Sequence, residues 1–230
     1  MENKQLINEE EIIKNFNNFS NDLYLEKEKD ILYIKSRNNN WKPFYIEFNS
    51  LLKRLNQKET IIKAFGIKKT YKPNILDTTA GLGRDSFILA SQECSITMIE
   101  RNPIVYILLN NALKNSIKDF SLKDIIKRMN LIYSDSITFL LHNKIENIDI
   151  IYIDTMFPKT NKDRLVKKNM QIFQNIIKND TDDKELLNIS LKQNVKKVIV
   201  KRWLKMNYIN NLKPNIEIKG TKIRFDVYIP

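Results

Sequence analysis

Four short runs of this chain end an apolar stretch on residues able to hold a ligand or direct a reaction. The first is Asp77-Thr-Thr-Ala-Gly-Leu-Gly-Arg-Asp85. Here an apolar run (Asn74 to Leu76) stops at an acid, turns through Gly81 and Gly83, and enters a helical pattern. Glycines in such a turn let a ligand approach the backbone, and the helix start offers unpaired N–H groups. A pyrophosphate-binding loop would carry a third glycine three residues after Gly83, where Ser86 stands, and Asp85 would repel the phosphates. The acids Asp77 and Asp85, with Arg84 between loop and helix, suit instead a cationic sulfonium ligand bearing an amino-acid moiety. The chain has only 4 glycines, so two of them spaced by one residue mark a place where side chains are excluded.

The second run ends at Glu100, 19 residues after Gly81 by position, where a carboxylate can accept hydrogen bonds from both ribose hydroxyls. Its neighbour Arg101 suits either the flank of an adenine or a structural salt bridge. The third is Asp135-Ser136, able to bond an adenine amine and equally able to cap a helix. The fourth is Asp154-Thr-Met-Phe-Pro158. An amine conjugated to a nucleobase is a poor nucleophile, and its lone pair must be aimed. Asp154 can hold its N–H protons while Phe157 stacks on the base. Lys159, Lys162, Arg164, Lys167, Lys168, Lys196, Lys197, Lys201 and Arg202 form a basic set around that run, suited to phosphates or simply to a solvated helix face. His142, the one histidine, has no assigned role.

The elements that must carry these ends alternate. Strands are expected at 74–77, 95–100, 131–133, 148–154 and 195–201. Helices are expected at 85–91, 103–116, 136–142, 165–178 and 181–191, and a closing hairpin (216–219 and 222–228) turns at Gly220-Thr221. This pattern gives an α/β, Rossmann-like fold with a mostly parallel sheet and a C-terminal antiparallel hairpin, whose ligands lie beyond the carboxyl ends of the strands. Residues 73–230 are read as that domain. Residues 1–72 are read as a small α+β extension, with strands at 31–34 and 44–48 and a helix over 51–65.

With 230 residues, 42% of them hydrophobic, the chain can build a substantial core, and no apolar run is long enough to cross a bilayer. One cysteine excludes an internal disulfide and a cysteine-based zinc site, and a cytoplasmic protein with no metal is expected. Lys+Arg 39 against Asp+Glu 27 gives a net charge of +12, which attracts polyanions, although a lysine-rich, AT-biased composition produces the same sign.

The runs 77–87, 98–103, 152–158, 165–170, 200–202 and 224–228 together resemble the bacterial 16S rRNA (guanine-N2)-methyltransferases of the RsmJ type. The resemblance covers about two-thirds of the chain, from roughly Pro73 onward. It implies a class I methyltransferase fold and S-adenosyl-L-methionine as cofactor. It also implies methylation of a guanosine N2 amine in 16S rRNA, either as naked RNA or within the small ribosomal subunit. It carries cofactor contacts onto Arg84, Asp85, Glu100, Arg101, Asp135, Ser136 and Asp154. Two features depart from the family: Thr155 stands where proline is usual, and the region before the first motif matches poorly. The competing expectations are a nicotinamide-dependent oxidoreductase, disfavoured by the missing third glycine, and a non-catalytic RNA-binding or ribosome-assembly protein, disfavoured by the acids at 77, 100 and 154.

Overall fold

The computed structural model of the protein describes residues 8–38, 42–53, 55, 59–154 and 182–230. Its main sheet has the strand order β5-β4-β3-β6-β7-β9-β8. The strands are β3 (Asn74–Asp77), β4 (Ser95–Glu100), β5 (Met129–Tyr133), β6 (Ile150–Ile153), β7 (Lys197–Trp203), β8 (Ile216–Lys219) and β9 (Ile223–Tyr228). β3 to β7 run parallel, and β9 lies antiparallel between β7 and β8. The chain lays β4 and β5 to one side of β3, then returns to lay β6 and β7 on the other. The order therefore reverses between β3 and β6, and a crevice opens beyond their carboxyl ends. Asp77 and Asp154 end those two strands.

The central strands are apolar because both faces of the sheet are covered. In β6, Ile150, Ile151, Tyr152 and Ile153 are all buried. Ile150 and Tyr152 join a core with Phe65, Phe87, Ile96 and Phe225, while Ile151 and Ile153 join a second core with Leu140, Leu186, Leu187 and Val200. Each buried aliphatic side chain stabilises the fold by roughly 1.5–3 kcal/mol. The helix Pro103–Ser116 begins where Asn102 accepts from the Ile104 and Val105 N–H groups and proline fills its first turn. The helix Ser136–His142 begins where Asp135 accepts from Thr138 N.

Most expected elements occur, with differences at their ends. β5 starts two residues earlier than expected. β6 is confined to 150–153, and β7 is shifted two residues onward to Trp203. Arg202 is buried and Lys201 half-buried, so β7 extends past the apolar run that marked it in the sequence. The helix expected at 165–178 lies outside the described residues.

The N-terminal region departs further. Residues 44–48 do not form a strand: Phe44 makes a single bridge to Ile34. The partner of β2 (Ile31–Ser36) is instead β1 (Leu23–Glu28), paired antiparallel through a turn in which Lys29 takes a left-handed conformation. β1 ends in Glu-Lys-Glu and is exposed there, because one face of this two-stranded sheet meets solvent. A helix at Glu9–Phe19, capped by Asn8 and opening with three glutamates, was not expected. The single helix expected over 51–65 is described as two pieces, Asn49–Leu52 and Glu59–Phe65.

A two-stranded hairpin is marginal alone. This one is held by Leu25, Leu32 and Ile34 packing on Ile104, Val105, Ile107 and Leu108 of the helix Pro103–Ser116. Buried Asn111 of that helix accepts from Leu32 N at 2.9 Å and donates to Asp30 O at 2.9 Å. Truncating it strands a buried N–H, which costs about 1–3 kcal/mol. Asn111→Ala is therefore expected to lower stability by about 2 kcal/mol, read as a lower urea midpoint with unchanged denaturant slope.

Candidate active site

Gly83 opens the helix Arg84–Ser91 in a left-handed conformation, φ +67°. A Cβ there would lie 2.8 Å from Leu109 Cδ1, so the loop and the helix Pro103–Ser116 approach each other through a gap only glycine leaves. Gly81 is also left-handed (φ +52°), but a Cβ on it would meet nothing nearer than Thr79 O at 3.8 Å. Among the described residues that side of Gly81 is uncrowded, so a ligand can lie against the backbone there.

The loops at the strand ends are bonded to one another. Gly81 N donates to Glu100 Oε2 at 2.9 Å, and Asn102 N donates to Glu100 Oε1 at 2.7 Å. Asp154 N donates to Thr79 Oγ1 at 2.6 Å, and Ser136 Oγ donates to Thr78 O at 2.6 Å. Gly81, Glu100, Asp135, Ser136 and Asp154 thus border one crevice. Ser136 is buried and serves to tie the end of β5 to the first loop. Asp135 caps its helix, accepting from Thr138 N at 2.9 Å. Burial works to raise its pKa, but the Thr138 bonds and the Arg101 guanidinium outweigh it and hold the carboxyl below its ordinary value. Arg101 bridges Asp135 at 3.3 Å and Asp182 at 2.5 Å, so of its two expected uses the salt bridge is the one formed.

Asp77 faces inward. It is only 2% exposed; Ser86 Oγ donates to Oδ2 at 2.5 Å and Thr79 N to Oδ1 at 3.0 Å. Ser86, at the position of the missing third glycine, is therefore a partner of the strand-end acid. Burial pushes the Asp77 carboxyl up to about 7, against the pull of the Ser86 and Thr79 bonds and with help from Asp85 and Asp154.

The sequence reading named Asp85 and Asp154 but not the cation that joins them. Lys201, read there as one of the phosphate-gripping lysines, is half-buried between two carboxylates: its Nζ donates to Asp85 Oδ2 at 2.7 Å and to Asp154 Oδ2 at 2.7 Å. Tyr152 Oη donates to the same Asp85 oxygen at 2.7 Å. Burial and Asp85 raise the Asp154 pKa while Lys201 draws it down, burial prevailing. Burial lowers the Lys201 pKa, but the two carboxylates overcome it and raise it. The available signal was the apolar run Val198-Ile-Val200 ahead of Lys201, which marks a strand carrying the lysine to the edge where the acids end. Of the rest of the basic set, Arg202 is buried, with Asp183 at 3.6 Å and donating to Asn207 O at 3.0 Å. Lys196 pairs with Asp149 at 2.7 Å. Phe157, Thr155, Lys159, Lys162, Arg164, Lys167 and Lys168 lie outside the described residues.

The family described as "Putative SAM-dependent methyltransferase" matches residues 7–230. The chain belongs to this family. It is 40% identical over 172 residues to the ribosomal RNA small subunit methyltransferase J of Shewanella loihica, covering 74% of this chain and 66% of that protein. It is 37% identical over 174 residues to the protein of the same name from Thioalkalivibrio sulfidiphilus, covering 75% and 68%. The chain thus spans about two-thirds of the length of these curated relatives. The solved SAM-dependent methyltransferase of Neisseria gonorrhoeae superposes with a TM-score of 0.76 at 27% identity, covering 92% of this chain and 84% of that one. The class I methyltransferase fold expected from the strand pattern is the observed fold, and S-adenosylmethionine is the family's cofactor. This family excludes the nicotinamide-dependent reading. The residues fit that cofactor: the crevice offers an open glycine backbone at Gly81, a buried carboxylate at Glu100 and an acidic rather than phosphate-binding lining.

Asp77 supplies a pH test. When folded it keeps its proton up to about pH 7, while unfolded it releases it near 3.8. Its contribution is therefore present in full below pH 3.8 and is lost as pH rises through 7, by about 4 kcal/mol at most. Urea unfolding at pH 5 and pH 8 should show Asp77→Asn gaining stability relative to the unsubstituted protein as the pH rises. A difference that is flat with pH would contradict the raised carboxyl.

Proposed function

We propose that the protein transfers a methyl group from S-adenosylmethionine to the exocyclic N2 amine of a guanosine in 16S rRNA, in the cytoplasm. The observation that carries this reading is Asp154, fixed at the end of β6 by its own N–H on Thr79 and by Lys201, beside the glycine loop and Glu100. The names of the curated relatives point to small-subunit rRNA, and a net charge of +12 suits a polyanionic partner. Among the described residues no helix is long and apolar enough to cross a membrane.

Bound S-adenosylmethionine supplies an electrophilic methyl group on a sulfonium. Glu100 accepts from the ribose hydroxyls. Its two oxygens are held at the glycine loop by the Gly81 and Asn102 N–H groups. Asp135, on the same rim, accepts from the adenine amine. Asp77, buried under the loop, acts by shaping it, and Arg84, Asp85, Arg101 and Ser136 border the pocket. Asp154 accepts a hydrogen bond from the N2 amine, orienting its lone pair, and Phe157 stacks on the guanine. Such placement of a weak nucleophile removes the orientational part of the barrier.

Mass spectrometry of 16S rRNA from cells with and without the protein tests the reading: loss of one N2-methylguanosine supports it, and an unchanged set of methylguanosines refutes it. In vitro, Asp154→Ala is expected to slow methyl transfer by about a thousandfold, with a lowered thermal midpoint but a folded protein, because Lys201 keeps Asp85 as a partner. Glu100→Gln forces an NH2 group against Gly81 N or Asn102 N. Calorimetry with S-adenosylhomocysteine should show its affinity reduced by about ten- to a hundredfold.

A further inference from the structure

The ammonium of Lys201 occupies a position that rRNA binding does not explain. Val200 pairs with Ile153 across the parallel β6–β7 register, so Lys201 stands level with Asp154 at the edge of the crevice. Its side chain is 19% exposed, and its nitrogen makes 2.7 Å bonds to both Asp85 and Asp154. The groups facing it are acids or neutral. The helix Arg84–Ser91 presents Asp85, β6 presents Tyr152 and Asp154, and β3 holds Asp77 deeper beneath; β9 places Phe225 opposite Lys201. Among the described residues, Lys201 is thus bonded to two carboxylates that burial and mutual repulsion drive toward protonation. Lys201 takes Oδ2 of Asp154; among the described residues nothing donates to Oδ1.

We infer that Lys201 is a positioning residue for methyl transfer, holding Asp154 ionised and turned so that its second oxygen receives the substrate amine. This rests on the amine-methylating reading above. An ionised Asp154 accepts more strongly from the amine N–H than a protonated one and carries no O–H to compete for the amine lone pair. With the ammonium gone, Asp154 would lose the cation bonded to its Oδ2 and would hold a proton to higher pH. The effect falls on the reacting amine, while Gly81 and Glu100 are left intact. A salt bridge serving only to join β7 to the helix Arg84–Ser91 would act on stability and leave the pH dependence of turnover where it was.

The test compares the unsubstituted protein with Lys201→Met by steady-state methyl transfer to 16S rRNA across pH 5.5–9, alongside calorimetry with S-adenosylhomocysteine. The expected result is a kcat about 100-fold lower at pH 7. The acid limb of kcat should move up by about one pH unit or more, with KM for RNA and affinity for S-adenosylhomocysteine changed by less than about threefold. A kcat within about threefold of the unsubstituted protein, or an acid limb that stays in place, overturns the inference. So does loss of S-adenosylhomocysteine binding in step with kcat. If Lys201→Met does not fold, Lys201→Gln, which keeps a hydrogen-bond donor toward the two carboxylates without the charge, is judged by the same criteria. Failure of the unsubstituted protein to methylate rRNA in this assay would refute the functional reading itself, whereas activity retained by the variants refutes only the part given to Lys201.

Discussion

Carboxylates taken out of water must find a cation, a set of hydrogen-bond donors or a proton. The crevice of this protein uses all three within a few ångströms. Asp154 and Asp85 share the Lys201 ammonium, Asp85 also receives the Tyr152 hydroxyl, and Asp77 is held by Ser86 and Thr79 and keeps a proton to near neutral pH. Much of the architecture can be understood as what that arrangement requires. β3, β6 and β7 must be neighbours in this order for Asp77, Asp154 and Lys201 to meet. The helix after Gly83 must start close enough to deliver Asp85, which demands a residue with no side chain against Leu109. Breaking a buried pair by removing one partner is costly because the other charge remains, so these residues constrain one another.

The second layer of organisation is the bonding between loops. Glu100 receives one backbone N–H from the glycine loop and one from its own strand end, so a single carboxylate fixes the separation of the β3 and β4 ends. Thr78 and Thr79 do the same toward the ends of β5 and β6, through Ser136 and Asp154. Polar groups that would otherwise lose water on burial are thereby satisfied. The described strand-end loops are bonded to one another before any ligand arrives, which favours the use of binding energy for orientation rather than ordering.

How far these features were legible in the sequence depended on the kind of physics involved. Ile150 to Ile153 and Ile96 to Ile99 announce themselves as strands because burial on both faces demands short, mostly apolar runs. Asn102-Pro103 and Asp135-Ser136 announce helix starts because capping is local. β1 was missed for the opposite reason: Glu26, Lys27 and Glu28 lie on a solvent-facing hairpin, and only pairing with Ile31–Ser36 makes them a strand. Asp77, Glu100 and Asp154 could be picked out because acids at strand ends after apolar runs are unusual. The side-chain partners of the acids were not legible, since Ser86 reaches Asp77, Tyr152 reaches Asp85, and Lys201 reaches Asp85 and Asp154 through tertiary proximity alone. For Arg101 both alternatives were visible, and only the location of Asp182, 81 residues away, decides for the salt bridge.

The same distinction applies to the positive charge. A lysine draws a phosphate by exchanging condensed counterions for a contact, and it does so best when its ammonium is free. Lys201 is committed to two carboxylates, Arg202 is buried beside Asp183 and the Asn207 carbonyl, and Lys196 is paired with Asp149 while its ammonium lies 5.3 Å from the Tyr71 ring centroid. Lys201 and Arg202 stand toward the crevice end of β7 and Lys196 at its opposite end; all three count toward the +12, yet they are already engaged within the fold. Their contribution to attracting RNA is through the long-range field of the whole surface, which steers encounter and is screened by salt. Position near a catalytic loop and positive charge are thus not enough to identify a phosphate contact: an ammonium already committed to the acids it stabilises cannot serve as one.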